Sequence, residues 1–180
     1  MTRIGLITFS LSVLALSAVA DSAIDAHKST LSARFTQEKV PVDASFTRYS
    51  GSIAFDPAQP ARAHAHLDID TASFDLGDED YNSEVRKPAW LDCAHFPKAS
   101  FDATGLKPLG GGNYQAQGTL SLKGKAQTLS VPLSIKTEVG ATSFDGSVPI
   151  SRGYFGIGDA QWKDSVADQV LIKFHIVVPK

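Results

Sequence analysis

Apolar and polar residues alternate with a period of two along most of the chain, and Gly, Pro and Asp interrupt the alternation at short intervals. That pattern predicts an antiparallel sheet with one buried face. Between Thr30 and Thr36, Leu31, Ala33 and Phe35 share one face and Ser32, Arg34 and Thr36 the other. Val40-Pro41-Val42 and Phe46 lead to a second strand, Gly51 to Phe55, which Asp56-Pro57 closes as a turn. The clearest alternation runs from Ala63 to Ser73, with Ala63, Ala65, Leu67, Ile69 and Thr71 opposite His64, His66, Asp68 and Asp70. Further on, Ala99, Phe101 and Ala103 share a face, as do Tyr114, Ala116, Gly118, Leu120 and Leu122. Lys123-Gly124 predicts a tight hairpin into a strand with Leu129, Val131, Leu133 and Ile135 inward. Phe144, Val148 and Ile150 mark another strand, and Val170, Ile172, Phe174, Ile176 and Val178 the last.

About eight strands result, and the fold class is all-β. Eight long strands with one apolar face each close an antiparallel barrel with one or two short helical connections; a sandwich is the alternative. Small inward residues, namely Ala63, Ala65, Ala99, Ala103, Ala116, Gly118 and Gly146, favour a barrel with an internal tunnel. The candidate tunnel wall is Phe35, Phe46, Phe55, Leu67, Ile69, Phe101, Leu120, Leu133 and Phe144.

The longest interruption, Asp70 to Phe101, predicts a strand end, a helical connection capped by Asp78 or Asp80, and re-entry into a strand at Ala99. Its apolar residues, Phe74, Leu76, Val85, Trp90, Leu91 and Phe96, read as the underside of a lid. Phe155, Ile157 and Trp162 in the Arg152 to Trp162 segment extend that set, which suits a mouth closing over an apolar ligand.

Residues 1–20 combine Arg3, an apolar run from Ile4 to Leu16 and the small triplet Ala18-Val19-Ala20, the three regions of a secretory leader. Cleavage after Ala20 leaves one domain, residues 21–180, in the periplasm; an uncleaved anchor is the alternative. The chain has 17 Lys and Arg against 19 Asp and Glu, and loss of Arg3 makes the formal charge about −3. Mild acidity without a basic cluster excludes nucleic acid as a partner and argues against electrostatic docking on anionic lipid. Cys93 is the single cysteine, so no internal disulfide framework can form, and it reads as a small buried hydrophobe.

Candidate chemistry is sparse. His64-x-His66, with Asp68 and Asp70 on the same face, has i, i+2 spacing that can hold zinc, but the row lies on the polar side of one strand, so no metal or other cofactor is assigned. The sequence contains no Gly-x-Ser-x-Gly elbow and no His-Glu-x-x-His, and Gly110 to Gly112 reads as a hairpin tip. The acidic group Asp75, Asp78, Glu79 and Asp80 lacks calcium-loop spacing. No residue is assigned a catalytic role; a hydrolase using His64 or His66 is the remaining enzymatic alternative.

Five stretches in register resemble the YceI family of exported, polyisoprenoid-binding proteins. They are Ser50-Gly51-Ser52-Ile53-Ala54-Phe55-Asp56-Pro57, Ile69-Asp70-Thr71-Ala72-Ser73-Phe74, Trp90-Leu91-Asp92 with His95-Phe96-Pro97-Lys98-Ala99-Ser100-Phe101, Gly118 to Gly124, and Ile150-Ser151-Arg152 with Phe155-Gly156-Ile157-Gly158. The resemblance implies a lipocalin-like barrel whose tunnel holds an isoprenoid lipid, the tail of a quinone or of a polyprenyl carrier, without catalysis. Where many members carry Arg-Asp-x-His-Leu, this chain has Tyr81-Asn82-Ser83-Glu84-Val85, similar to a subgroup found beside membrane b-type di-haem cytochromes. Tyr81, Asn82 and Arg86, with Lys87 nearby, are then the head-group candidates. The alternative function is an accessory module with a filled barrel that binds such a cytochrome, as a monomer or homodimer.

Overall fold

A computed structural model describes residues 20–180; the leader proposed at residues 1–20 lies, but for Ala20, outside the described residues. One antiparallel sheet curls on itself. Its strands are β1 (Ser22–Ala23), β2 (Thr30–Gln37), β3 (Val40–Phe46), β4 (Tyr49–Ala54), β5 (His64–Asp70), β6 (Phe74–Asp75), β7 (Lys98–Gly110), β8 (Asn113–Leu122), β9 (Lys125–Glu138), β10 (Ala141–Ser151) and β11 (Gln169–Pro179). The hydrogen-bonded order is β1-β4-β5-β7-β8-β9-β10-β11-β2-β3-β6. β3 and β4 thus sit towards opposite ends of the ladder although only Thr47 and Arg48 separate them, so one stretch of chain brings the two ends together. Residues just after β1 span the seam: the Ile24 amide donates to the Gly51 carbonyl of β4 (3.0 Å), and that of Asp25 to Val177 of β11 (2.7 Å).

The count of eight strands is corrected to eleven among the described residues. β1 and β6 are two-residue edge pieces, too short to leave a periodic signal. Val40–Phe46 is a strand in its own right, paired with β2 from Gln37↔Val40 to Ser32↔Ser45. Its Pro41 is tolerated because the strand is nearly an edge, with only the two-residue β6 beyond it. β7 and β9 are longer than the alternation predicted. In β7 the register slips between Thr104 and Leu106, where Gly105 has φ +73°, a bulge that returns Leu106 to the inner face.

The predicted inner faces of the long strands meet inside this wall. Leu31, Ala33, Leu67, Ile69, Leu129, Val131, Phe144, Ile150 and Ile176 are all buried. The Lys123–Gly124 hairpin has positive φ at both positions, the geometry of a type I′ turn that matches strand twist. Helix α1 (Glu79–Val85) is a single short element, and Asp78 caps it, accepting from the amides of Asp80 (2.9 Å) and Tyr81 (3.4 Å).

Candidate functional site

An apolar cavity of about 170 Å³ runs inside the curled sheet. β5 contributes Ala65, Leu67 and Ile69 to its wall; β7, Ala99, Phe101, Ala103 and Leu106; β8, Ala116, Leu120 and Leu122; β9, Leu129, Val131 and Leu133. Val148 and Ile150 on β10, Ile172, Phe174 and Ile176 on β11, and Leu31, Phe46, Ile53 and Phe144 also line it. Phe46, Phe101, Leu120, Leu133, Ile172 and Phe174 face inward and yet are only partly buried. Their accessible area belongs in part to the wall of the cavity.

Glycine keeps this bore open. A Cβ at Gly118 would overlap the ring of Phe101, and one at Gly146 would lie 2.5 Å from the Phe174 ring. Both rings therefore use the space that a glycine of the neighbouring strand leaves free.

Of the residues expected to form the wall, Phe46, Leu67, Ile69, Phe101, Leu120, Leu133 and Phe144 border the cavity. Phe35 and Phe55 do not. Phe35 packs against the core from near the end of β2, and Phe55 joins Phe144 (5.6 Å between centroids, edge-on) and Tyr114 (6.0 Å) in an aromatic plug at the end away from the lid.

The lid residues also lie outside the cavity border, which corrects the expectation that Trp90, Leu91 and Phe96 face a ligand from above. Trp90 packs against Trp162, 5.4 Å between centroids with the ring planes tilted by 50°. Leu91 and Phe155 are buried in the core, Phe74 pairs with Phe46 at 4.9 Å, and Leu76 and Val85 pack on the same cluster. Phe96 lies against Gly124, while its carbonyl accepts from the hydroxyl of the fully buried Thr71 (2.8 Å). An apolar count cannot tell a plug from a wall, because both bury the same residue types.

Charged side chains fasten the lid, a role that composition and motif did not reveal. Arg152, 6% exposed, directs its guanidinium entirely at main-chain carbonyls: Ala167 (3.1 Å), Ile157 (2.8 Å), Gly158 (3.4 Å), Trp162 (3.2 Å) and Val166 (2.7 Å). A signal does exist, since Arg152 continues the inward parity of Val148 and Ile150. Lys123 Nζ donates to the carbonyls of Pro88 (2.8 Å) and Gly156 (2.7 Å), tying both lid segments to the β8–β9 hairpin. Burial there holds its ammonium below the usual lysine range. Asp168 is held below the usual carboxylate range by the Ser151 hydroxyl and the Gly153 amide.

The head-group candidates have other employment. Asn82 is buried, accepts from the Leu76 amide (2.7 Å) and donates to Asp75 (2.9 Å), which lowers the Asp75 pKa. Arg86 donates to the Ala72 carbonyl (3.2 Å) and Glu79 (3.0 Å), and Tyr81 is 61% exposed on the outer face of α1. None of the three borders the cavity. Replacing Asn82→Ala strands the Leu76 amide and is expected to cost about 1–3 kcal/mol in urea unfolding, with ligand affinity unchanged.

His64 and His66 part company on the outer face. His64 Nε2 pairs with Asp21 (2.7 Å), although the residue borders the cavity beside Ala63 and Gly105. His66 Nδ1 meets Asp102 on β7 (2.6 Å), and this hydrogen bond raises the imidazole pKa. The folded pKa exceeds the unfolded value near 6.5, so the pair stabilises fully below that pH and fades as pH rises through the folded pKa. Thermal melts at several pH values are expected to show that fall, and His66→Gln to flatten it.

The fold has counterparts among known proteins. The crystal structure of Burkholderia cenocepacia BcnA superposes with a TM-score of 0.84 at 42% identity, covering 86% of this chain and 99% of that one. A polyisoprenoid binding domain from Saccharophagus degradans shares the fold at 18% identity (TM-score 0.74), covering 90% of this chain and 99% of that one. A UPF0312 protein of Azotobacter vinelandii is 33% identical over 79 residues, 44% of this chain and 41% of that relative's own length. The family model for the YceI-like domain matches residues 23–178. An all-β, lipocalin-like sheet curled round an apolar cavity, matched by that model along nearly its whole described length, places the chain in the YceI family.

Proposed function

We propose that the protein is a non-catalytic carrier that holds the isoprenoid tail of a lipid, a quinone or a polyprenyl carrier, inside the curled sheet. The observation that carries this reading is the cavity, whose wall is apolar from Ile69 and Ala99 at one end to Ala103 and Leu106 at the other. Burial alone supplies affinity, at roughly 25 cal/mol for each Å² of apolar surface removed from water. A cavity of about 150 Å³ admits benzene, so a bore of about 170 Å³ suits a slender chain entering end-on. The Saccharophagus domain, described as polyisoprenoid binding, supports the same ligand class. The wall offers no nucleophile paired with a base, and its one bordering imidazole, His64, is engaged by Asp21.

Export through residues 1–20 would put this carrier in the periplasm, beside the membranes where prenyl lipids reside. A membrane b-type cytochrome is the partner that the Tyr81–Val85 segment implies, with Tyr81 exposed for contact. Organic extraction of the purified protein followed by mass spectrometry is expected to yield a prenyl lipid. The absence of any prenyl lipid, together with no saturable uptake of one by the protein, would sink the proposal.

A further inference from the structure

The hydrogen-bonded wall of the cavity is split at one place. β10 pairs with β11 along its whole length, from Ala141↔Pro179 to Ser151↔Gln169, and β9 pairs with β8 from Leu122↔Lys125 to Asn113↔Ser134. Between β9 and β10 themselves the rungs begin at Ala141↔Glu138 and stop at Gly146↔Leu133. Past that point residues 125–132 and 147–151 run as two facing edges without a rung between them. The sequence explains the split: Pro132 is the first residue beyond the last rung and Pro149 lies on the facing strand, and a proline has no amide to give to a ladder. At the apex, a Cβ on Gly146 would come within 2.6 Å of the Pro132 carbonyl. At the base, the segment after β10 crosses back to β9, where the Tyr154 hydroxyl donates to the Ala126 carbonyl (2.7 Å) and Lys125 to that of Tyr154 (2.8 Å). Side chains shut the slit in between. Leu129 and Val131 on one edge, and Val148 and Ile150 on the other, are buried, and all four line the cavity.

Elsewhere the wall is tied by main-chain hydrogen bonds. The amides of Ile24 and Asp25 bridge the seam between β4 and β11, and at the end of β2 Gln37 meets Val166, with the Ala167 amide on the Thr36 carbonyl (2.8 Å). Parting a paired junction leaves buried amides and carbonyls unmade, whereas parting the slit exchanges one apolar contact for another. A prenyl tail needs such an exchange. Benzene takes a cavity of about 150 Å³, so a bore of about 170 Å³ has room for roughly one isoprene unit. A tail of several units fits only if the wall gives way.

We propose that the slit between β9 and β10 is an expansion joint, whose apolar edges part to enlarge the cavity as a prenyl tail longer than one unit enters. This rests on the carrier function proposed above. The test introduces Ser130→Cys and Ser147→Cys, on the outer side of the two edges, into a Cys93→Ala background and bridges them with a short bis-maleimide. Prenyl alcohols of one and of four isoprene units are then titrated by NMR. The bridge is expected to weaken binding of the four-unit alcohol at least tenfold and to leave the one-unit alcohol unchanged. The same bridge between Ser100→Cys and Ser121→Cys, which already face each other across a rung of β7 and β8, should weaken neither. Nitroxide labels on the unbridged Ser130→Cys and Ser147→Cys pair should move apart by at least about 2 Å when the four-unit alcohol binds, and stay in place with the one-unit alcohol. A bridged protein that binds the four-unit alcohol as tightly as the unbridged one overturns the joint, and so does a label distance that does not change. A bridge that weakens both alcohols alike also overturns it, since it would then act by distorting the bore. Failure of both alcohols to bind the unbridged protein overturns the carrier function itself, and the joint falls with it.

Discussion

Replacing Arg152 with Met is expected to destabilise the domain by about 3–5 kcal/mol in urea unfolding, the largest effect of any single side chain outside the apolar core. The guanidinium is buried and serves five carbonyls spread from Ile157 to Ala167. Removing it takes a donor from each, and only the Trp162 carbonyl keeps another that is seen, the Val166 amide (2.9 Å); a buried polar group left unmade costs more than its hydrogen bond contributes when formed. The same change frees the segment that positions Phe155, 1% exposed, and Trp162 over the barrel end. Arg152→Lys keeps the charge but offers one ammonium in place of a planar fork, so it should recover less than half of the loss. Hydrogen exchange of residues 153–167 separates local from global effects, with protection lost there first. A loss under about 1 kcal/mol, with that segment still protected, would show that the carbonyls find other donors.

The inner faces of the long strands were legible in the sequence because a period of two leaves no freedom once one face is buried. Leu67, Ile69, Leu120, Leu133 and Phe144 lie on the cavity wall for that reason. Three features were not legible. Pro41 masked β3, since a proline argues against a strand until its neighbours show that it lies near an edge. The Gly105 bulge reverses the alternation midway through β7, and nothing in the local sequence distinguishes such a glycine from a turn. The mutual packing of the lid aromatics is the third, since composition does not show that Trp90 and Trp162 meet each other, their ring planes tilted by 50°. Arg152 held part of the missed information, because the inward parity of Val148 and Ile150 continues to it just past the end of β10.

Gly118→Ala is expected to weaken ligand binding by more than about tenfold while leaving the protein folded. The new methyl group would occupy the space now filled by the Phe101 ring, with the Asp102 carbonyl 3.0 Å away. The ring is the more mobile of the two neighbours, and its only open direction is the cavity it already borders. A phenyl group turned into a bore of about 170 Å³ fills much of it, so affinity should fall more than about tenfold. Stability should change by only about 1–3 kcal/mol, because the displaced ring repacks inside the barrel. Adding Phe101→Leu to the variant clears the bore again and should restore binding. A single variant that binds as tightly as wild type would mean that the ligand does not pass Phe101.

The carrier function stands or falls on where a prenyl chain lies. Intermolecular NOEs between a short prenyl ligand and methyl-labelled, delipidated protein report this directly. The expected contacts are to Leu67 on β5, Leu120 on β8, Val131 and Leu133 on β9 and Ile172 on β11, with none to Val85 on α1 or to the exposed Val40 and Val139. Contacts confined to exposed methyl groups, or saturating ligand that leaves the inner methyl groups untouched, would contradict an internal binding site.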